Sequence, residues 1–138
     1  MRRIPLTVKM LDSETTAVSA GIRVSDYRNC ILSIIGSASA NLKVFIKGAV
    51  STKGAEYNEA PSFTVVQSQR NEDSNWDYIE VVDLEDGAAI DGDTGVDLNG
   101  NVIRLVEVNI NSLDWLAVHS TGRIAGTVTV VGVFTTNQ

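Results

Sequence analysis

The sequence predicts an all-β fold, an antiparallel β-sandwich or jelly roll of about eight or nine strands with little helix. Segment 124–135 alternates in polarity and is rich in β-branched residues, which favours a long terminal strand. Short apolar segments separated by turn residues recur along most of the chain. No segment keeps an amphipathic helical period over three turns.

The N-terminal segment 4–10 is predicted to be an edge strand. Apolar residues alternate there with polar ones, and Pro5 is best tolerated at a sheet edge because it cannot donate a backbone hydrogen bond. Residues 12–19 are small and polar and are predicted to form a loop. A short strand over 22–24 follows, and Ser25 and Asp26 turn the chain.

Two longer strands are predicted at 30–35 and 42–50. The residues between them are small, so we expect these strands to pair as a hairpin. In the second strand Lys43 and Lys47 alternate with apolar residues, which predicts a solvated face carrying both lysines.

The middle of the chain has a weaker pattern. Residues 53–60 could form one helical turn, 63–66 a short strand and 67–75 an exposed loop. Segment 76–82 regains strand character, with aromatic residues at alternate positions.

The rest of the chain is predicted to be a long loop followed by three strands. Segment 83–101 is rich in aspartate and glycine, so we expect irregular structure. The strands are 102–110, 113–119 and 124–135, with turns at 111–112 and 120–122.

Length and composition bound the function. A chain of 138 residues with 43% hydrophobic residues predicts one domain, 1–138, with its own core. The net charge of −6 argues against a nucleic-acid partner, which needs clustered Lys and Arg. No apolar run is long enough to predict a signal peptide or a membrane span, so we expect synthesis in a cytoplasm and no membrane partner.

Few residues suggest catalysis. Cys30 is the sole cysteine and lies on an apolar strand, where a thiol is most simply a small buried hydrophobe. His119 is predicted to be a turn residue at a strand end. A hydrolase on a sandwich scaffold would need two converging carboxylates, and no spacing in the sequence predicts them. We therefore predict that the chain is not an enzyme.

The acidic loop offers a weak metal site. Asp91, Asp93 and Asp97 carry oxygen ligands at alternating positions, as calcium prefers. Val96 and Val102 stand where an EF-hand loop has glycine and a bidentate glutamate. The loop could instead be a solvated turn or a surface for a basic partner, so we predict no cofactor, with calcium as the alternative.

Large aromatic residues provide a second possible site. Trp76, Tyr78 and Trp115 could form a platform that stacks on sugar rings, as in a carbohydrate-binding module, or they could be core or interface residues. Arg104 shares a strand face with Val106 and Val108, so we expect its charge to reach a carboxylate or a subunit boundary.

The order of elements resembles small β-sandwich proteins of tailed-bacteriophage virions. The resemblance covers residues 30–135 and rests on the two strands near 30–48, the polar turn into Asn75-Trp76-Asp77-Tyr78-Ile79 and the final strand from Ala125 to Val130. The long acidic loop departs from this pattern, since such proteins often have a short turn there.

The resemblance implies a structural role in the virion. Such proteins often decorate or cement the head lattice, commonly as trimers, and related sandwiches occur in tails and fibres. The expected partners are the major capsid protein, other virion proteins and further copies of the chain. We predict that the N-terminal arm 1–10 and the C-terminal strand make these contacts, because both carry apolar side chains. The expected interface residues are Ile4, Leu6, Val8, Arg104, Val131 and Val133.

Overall fold

The computed structural model describes residues 5–19, 21–50, 76–100 and 102–136, and these residues form an all-β sandwich of two antiparallel sheets. They contain twelve strands and no helix, which confirms the predicted fold class but exceeds the eight or nine strands expected. The helical turn at 53–60, the strand at 63–66, the loop at 67–75 and Ile4 lie outside the described residues.

Apart from the chain between β5 and β6, most of which lies outside the described residues, the strands are joined by short connections. Their bounds are β1 Leu6–Glu14, β2 Ala17–Val18, β3 Ile22–Arg23, β4 Asn29–Gly36, β5 Asn41–Ala49, β6 Asp77–Tyr78, β7 Val81–Asp83, β8 Ala89–Ile90, β9 Val96–Asn99, β10 Ile103–Asn109, β11 Trp115–Ala125 and β12 Val128–Thr135. Two of the two-residue strands, β2 and β8, fall in segments that the sequence predicts to be loops.

The first sheet has the order β1-β12-β4-β10-β7-β8. The second is centred on the pair β11 and β5, with β2 and β3 along the other edge of β11 and with β6 and β9 along the other edge of β5. We call these the first and second sheets below.

The core lies between the two sheets and follows the predicted alternation. On β12, for example, Val128, Val130 and Phe134 are fully buried, whereas Val131 and Val133 point away from the core. Inward residues of β4, β5, β10 and β11 complete one continuous apolar cluster. Burying the apolar side of each strand is the main favourable contribution to the stability of such a layer.

The predicted hairpin between β4 and β5 is wrong. Both strands form close to the predicted positions, but β4 pairs with β10 and β12 in the first sheet, and β5 pairs with β11, β6 and β9 in the second. Each strand buries its apolar side against the core, so the connection 37–40 crosses from one sheet to the other. Alternation predicts the buried side of a strand but does not identify its pairing partner.

The predicted strand 76–82 and the predicted irregular segment 83–101 are both divided differently. The break at Ile79 and Glu80 carries the chain from β6 in the second sheet to β7 in the first. The acidic segment contains β8 and β9. Likewise β2 lies within the predicted loop 12–19.

The predicted turn at 120–122 is also displaced. β11 continues to Ala125 with a register shift after Thr121, and Gly122 has a positive φ of 66° within this irregularity. The chain reverses at Gly126 and Thr127 instead, so the terminal strand is β12 and not the whole of 124–135. A bulge of this kind keeps a strand going through residues that resemble a turn.

Three sheet-crossing connections meet at one end of the sandwich. These are 37–40, the chain between β9 and β10, and Gly126 with Thr127. The backbone N–H of Ser37 donates to the carbonyl of Thr127 at 3.0 Å, and the Ser37 Oγ accepts from the N–H of Thr127 at 3.0 Å. Gly100 donates from its N–H to the carbonyl of Ala40. We call this cluster the crossing corner.

Gly126 is the most constrained residue of the crossing corner. Its φ is +76°, a value that L side chains rarely adopt, and a Cβ there would lie 2.5 Å from the Ala40 Cα. The steric clash is not easily relieved, because the two nearest obstructing atoms, the Ala40 Cα and N, belong to the backbone.

We predict that Gly126→Ala lowers the free energy of unfolding by about 2–4 kcal/mol, since it combines an unfavourable φ with a steric clash. Urea unfolding followed by circular dichroism measures this loss. Gly122→Ala is the matched control, because Gly122 has φ +66° with no atom within 4 Å of an added Cβ. The control should cost about 1 kcal/mol. Equal losses in the two variants would contradict the role assigned to close packing.

Candidate functional site

The outward side of the first sheet carries an apolar surface that no described residue covers. Exposed large side chains there are Ile31 (39% exposed), Ile103 (65%), Leu105 (46%) and Val133 (37%). Val133 is opposite Ile31 in the register between β12 and β4, and Ile103 is opposite Ile35 between β10 and β4. We call this surface, formed by Ile31, Ile35, Ile103, Leu105, Val131 and Val133, the outer apolar face.

The predicted interface residues divide between the two sides of the first sheet. Val131 and Val133 belong to the outer apolar face. Leu6 and Val8 are half-buried and pack against the core, with β1 paired to β12 as the edge strand. The N-terminal segment from Leu6 onward is therefore an integral strand of the sandwich, and not an arm that extends from it.

Arg104 reaches a carboxylate, as its strand position predicts. Its Nη1 donates to the Asp83 Oδ2 at 3.1 Å, and the Asp83 side chain is only 8% exposed. The other Asp83 oxygen accepts the backbone N–H of Glu85 at 2.9 Å. This second bond fixes the turn between β7 and β8, so Asp83 links a turn to an ion pair.

Arg104 also lines an open cleft at the edge of the sandwich. The cleft has a volume of about 470 Å³ and is lined by Ala89, Ile90, Asp91, Thr94, Gly95, Val96, Asp97 and Arg104. The side chain of Arg104 is 37% exposed, so part of its guanidinium is open to solvent. The cleft brings a cation and two carboxylates to one place.

The three predicted calcium ligands do not form a cation cage. Lys43 extends over the loop, with its Nζ 3.0 Å from the Thr94 carbonyl and 3.6 Å from an Asp97 oxygen. Among residues 5–19, 21–50, 76–100 and 102–136, no three His, Cys, Asp or Glu side chains are grouped as metal ligands would be. The Lys43 ammonium supplies the positive charge that a bound cation would otherwise bring to Asp97.

The outward side of the second sheet differs from the solvated face predicted for Lys43 and Lys47. Lys43 is partly exposed, but Lys47 is only 2% exposed. The Lys47 Nζ lies 4.6 Å from the centre of the Tyr78 ring, and Phe45 packs beside both Tyr78 and His119. Aromatic contact is an established way to hold a partly desolvated ammonium group.

The two tryptophans cannot form a platform for sugar rings, because both are buried. Trp76 and Trp115 are 2% and 6% exposed and form a small buried cluster with Ala49 and Ala117. The alternative interpretation, that these rings are packing residues, is correct for both. The Trp115 Nε1 is buried, and no hydrogen-bond partner for it lies among the described residues.

Cys30 and His119 are both buried inside strands. Burial raises the pKa of the Cys30 thiol to about 12, which keeps it protonated and poorly nucleophilic. His119 lies in the middle of β11, so its prediction as a turn residue is wrong. Burial lowers the pKa of His119, and the positive charge of Lys47 lowers it further.

No helix among the described residues is long and apolar enough to cross a membrane. Comparison with protein-family models and with curated proteins finds no match.

One solved structure is similar over nearly the full length of both chains: the crystal structure of SPBc2 prophage-derived protein YomS. The TM-score is 0.66, and the match covers 97% of this chain and 96% of that one. The two chains share a fold. Their sequence identity is 14%, so YomS provides a structural likeness without transferable site residues.

We predict that Asp83→Ala costs more stability than Asp83→Asn. The alanine variant loses both the ion pair and the acceptor for Glu85, at about 1–3 kcal/mol, whereas asparagine keeps an acceptor and costs about 1 kcal/mol or less. Thermal unfolding of the two variants and the parent measures the difference. Equal losses would show that the bond to the turn contributes nothing.

We predict that mild acid destabilises the fold through His119. Its folded pKa is below the usual value of 6.5, so the unfolded chain binds the proton more readily. Stability therefore falls as the pH drops below about 6.5, until the folded pKa is reached. The measurement is the melting temperature at about pH 7.5 and about pH 5 for the parent and His119→Gln, which cannot titrate. An unchanged loss in the variant would assign the effect to other groups.

Proposed function

We propose that this chain is a non-enzymatic structural protein of a tailed bacteriophage, bound to the assembled head as a decoration or cement protein. The observation that carries the proposal is the fold shared with a prophage-derived protein over almost the entire length of both chains. The sequence resemblance to small virion sandwiches points in the same direction. The proposed localisation is the virion, and the proposed partners are the major capsid protein and further copies of the chain.

The outer apolar face suits this role. Soluble proteins rarely leave a contiguous apolar surface uncovered unless it serves a partner. Four large hydrophobic side chains are exposed on three adjacent strands, β12, β4 and β10. A repetitive shell offers many equivalent sites, so each bound copy adds its binding free energy to the stability of the particle.

A tail or fibre position is the second candidate. It rests on the same fold and the same outer apolar face, which suit any repetitive assembly. Carbohydrate binding is no longer supported, because Trp76 and Trp115 are buried. The proposed role needs no bound cofactor. In this role the acidic loop is a solvated surface or a contact for a basic partner.

The test is occupancy of purified particles. Virions are banded on a density gradient, heads and tails are separated, and the amount of the chain in each fraction is measured by quantitative mass spectrometry. A decoration protein is expected in heads at high copy number. Recovery in tails alone would favour the second candidate, and absence from both fractions would overturn the proposal.

The interface is tested with substitutions and not with removal of residues 1–10. That deletion would strip most of the regular part of β1 and expose the core, since Leu6 and Val8 pack there. Val133→Lys is expected to lower occupancy at least about tenfold, because it places a charge within an apolar contact. Ile124→Glu is the control, since Ile124 is exposed on β11 of the second sheet.

A further inference from the structure

We propose that the outer apolar face is a two-fold interface between two copies of this chain. The proposal concerns the isolated protein, in which a second copy covers the face that the shell would cover in an assembled head, and it does not depend on a role in a virion. It specifies the partner, the symmetry and the residues that determine the register.

The first argument is the continuity of the apolar surface. Val133 and Ile31 are neighbours across β12 and β4, and Leu105 stands opposite Ser33 across β4 and β10. A flat patch of this kind excludes water well only when a similarly flat surface packs against it. The outward side of the same sheet in a second copy is such a surface.

The second argument is the charge on this side of the sheet. Among the described residues in the regularly paired part of the first sheet, two charged side chains point outward. They are Lys9 on β1 and Glu107 on β10, and both are exposed. Lys9 is in the row of Val131, Ser33 and Leu105, and Glu107 is in the row of Val133, Ile31 and Val82. One cation and one anion thus flank the apolar centre on opposite sides.

This arrangement is self-complementary. Lys9 and Glu107 are three strand spacings apart across the sheet, or roughly 14 Å, and one row apart along it, or roughly 7 Å. A two-fold axis lying in the contact plane and passing over β12 and β4 brings Lys9 of each copy opposite Glu107 of the other. The pair between Lys9 and Glu107 then occurs twice per dimer, as in an isologous interface, with the apolar residues around the axis.

Lys9 is available for this contact. Within the described part of the chain its ion-pair partner is Asp12 at 3.8 Å, and both side chains are largely exposed, at 56% and 69%. Exposed pairs of this kind contribute little to stability. The ammonium group can therefore exchange Asp12 for a partner carboxylate at small cost.

The size of the face sets the expected affinity. The four long strands β1, β12, β4 and β10, spaced about 4.8 Å apart over about 20 Å of strand length, give roughly 400 Å² per copy in projection. Two such faces bury about 800 Å², which is in the range of weak and transient contacts. We therefore expect a dimer that forms and dissociates with concentration, not an obligate one.

Sedimentation velocity of the full chain over a concentration series tests this inference. K9E and E107K each place like charges opposite one another twice per dimer, so each should raise the dimer Kd about tenfold. The double variant K9E/E107K restores opposite charges and should return the Kd to within about threefold of the parent. Circular dichroism of each variant confirms that it is folded.

Two further variants separate the apolar contribution from general surface effects. Ile31→Glu should raise the Kd more than either charge reversal, because Ile31 lies on β4 beside the axis and the variant buries a carboxylate there. Ile124→Glu, on β11 of the second sheet, should leave the Kd unchanged.

Three results would overturn the inference. These are a monomer at every concentration, a trimer mass, or a double reversal that fails to restore association. Failure of the particle experiment would leave these outcomes unaffected, since here the isolated chain is measured. Conversely, a monomer in solution that still occupies heads would reject the dimer and retain the virion role.

Discussion

The architecture depends on the close packing of backbone at the crossing corner. Eight of the eleven connections between the described strands pass from one sheet to the other, and three of these passages converge at one end, where Gly126, Ala40 and Ser37 are in contact. Only small residues allow the crossings to approach this closely. Gly126 therefore determines how closely the connection between β11 and β12 can approach the connection between β4 and β5.

The sequence predicts the layers well and the connectivity poorly. Alternation identifies the buried side of β12 and the ion-pairing position of Arg104, because both follow from the local period of the chain. It does not distinguish a hairpin from a crossing, since a small-residue loop such as 37–40 suits either. The short strands β2, β8 and β9 lie in segments predicted to be loops, because long-range pairing, and not their own composition, makes them strands.

The same division applies to the candidate sites. Alternation alone predicts that Val131 and Val133 lie on the outward side of a strand. It does not predict that Ile31, Ile103 and Leu105 lie beside them, because this depends on the pairing of β12 with β4 and of β4 with β10. The burial of Lys47 could not be predicted from alternation, which treats Lys43 and Lys47 alike. Among the described residues, Lys47 lies over the Tyr78 ring, whereas Lys43 reaches Thr94 and Asp97.

The position of β12 has a consequence for biosynthesis. The strand nearest the C-terminus is inserted between β1, nearest the N-terminus, and β4, so the first sheet stays divided until translation has passed Thr135. Pairings between such distant segments form slowly, and the growing polypeptide exposes unpaired strand edges while it waits. A ribosome paused before residue 128 would therefore hold a nascent chain prone to aggregate, which makes late elongation the vulnerable step in producing this protein.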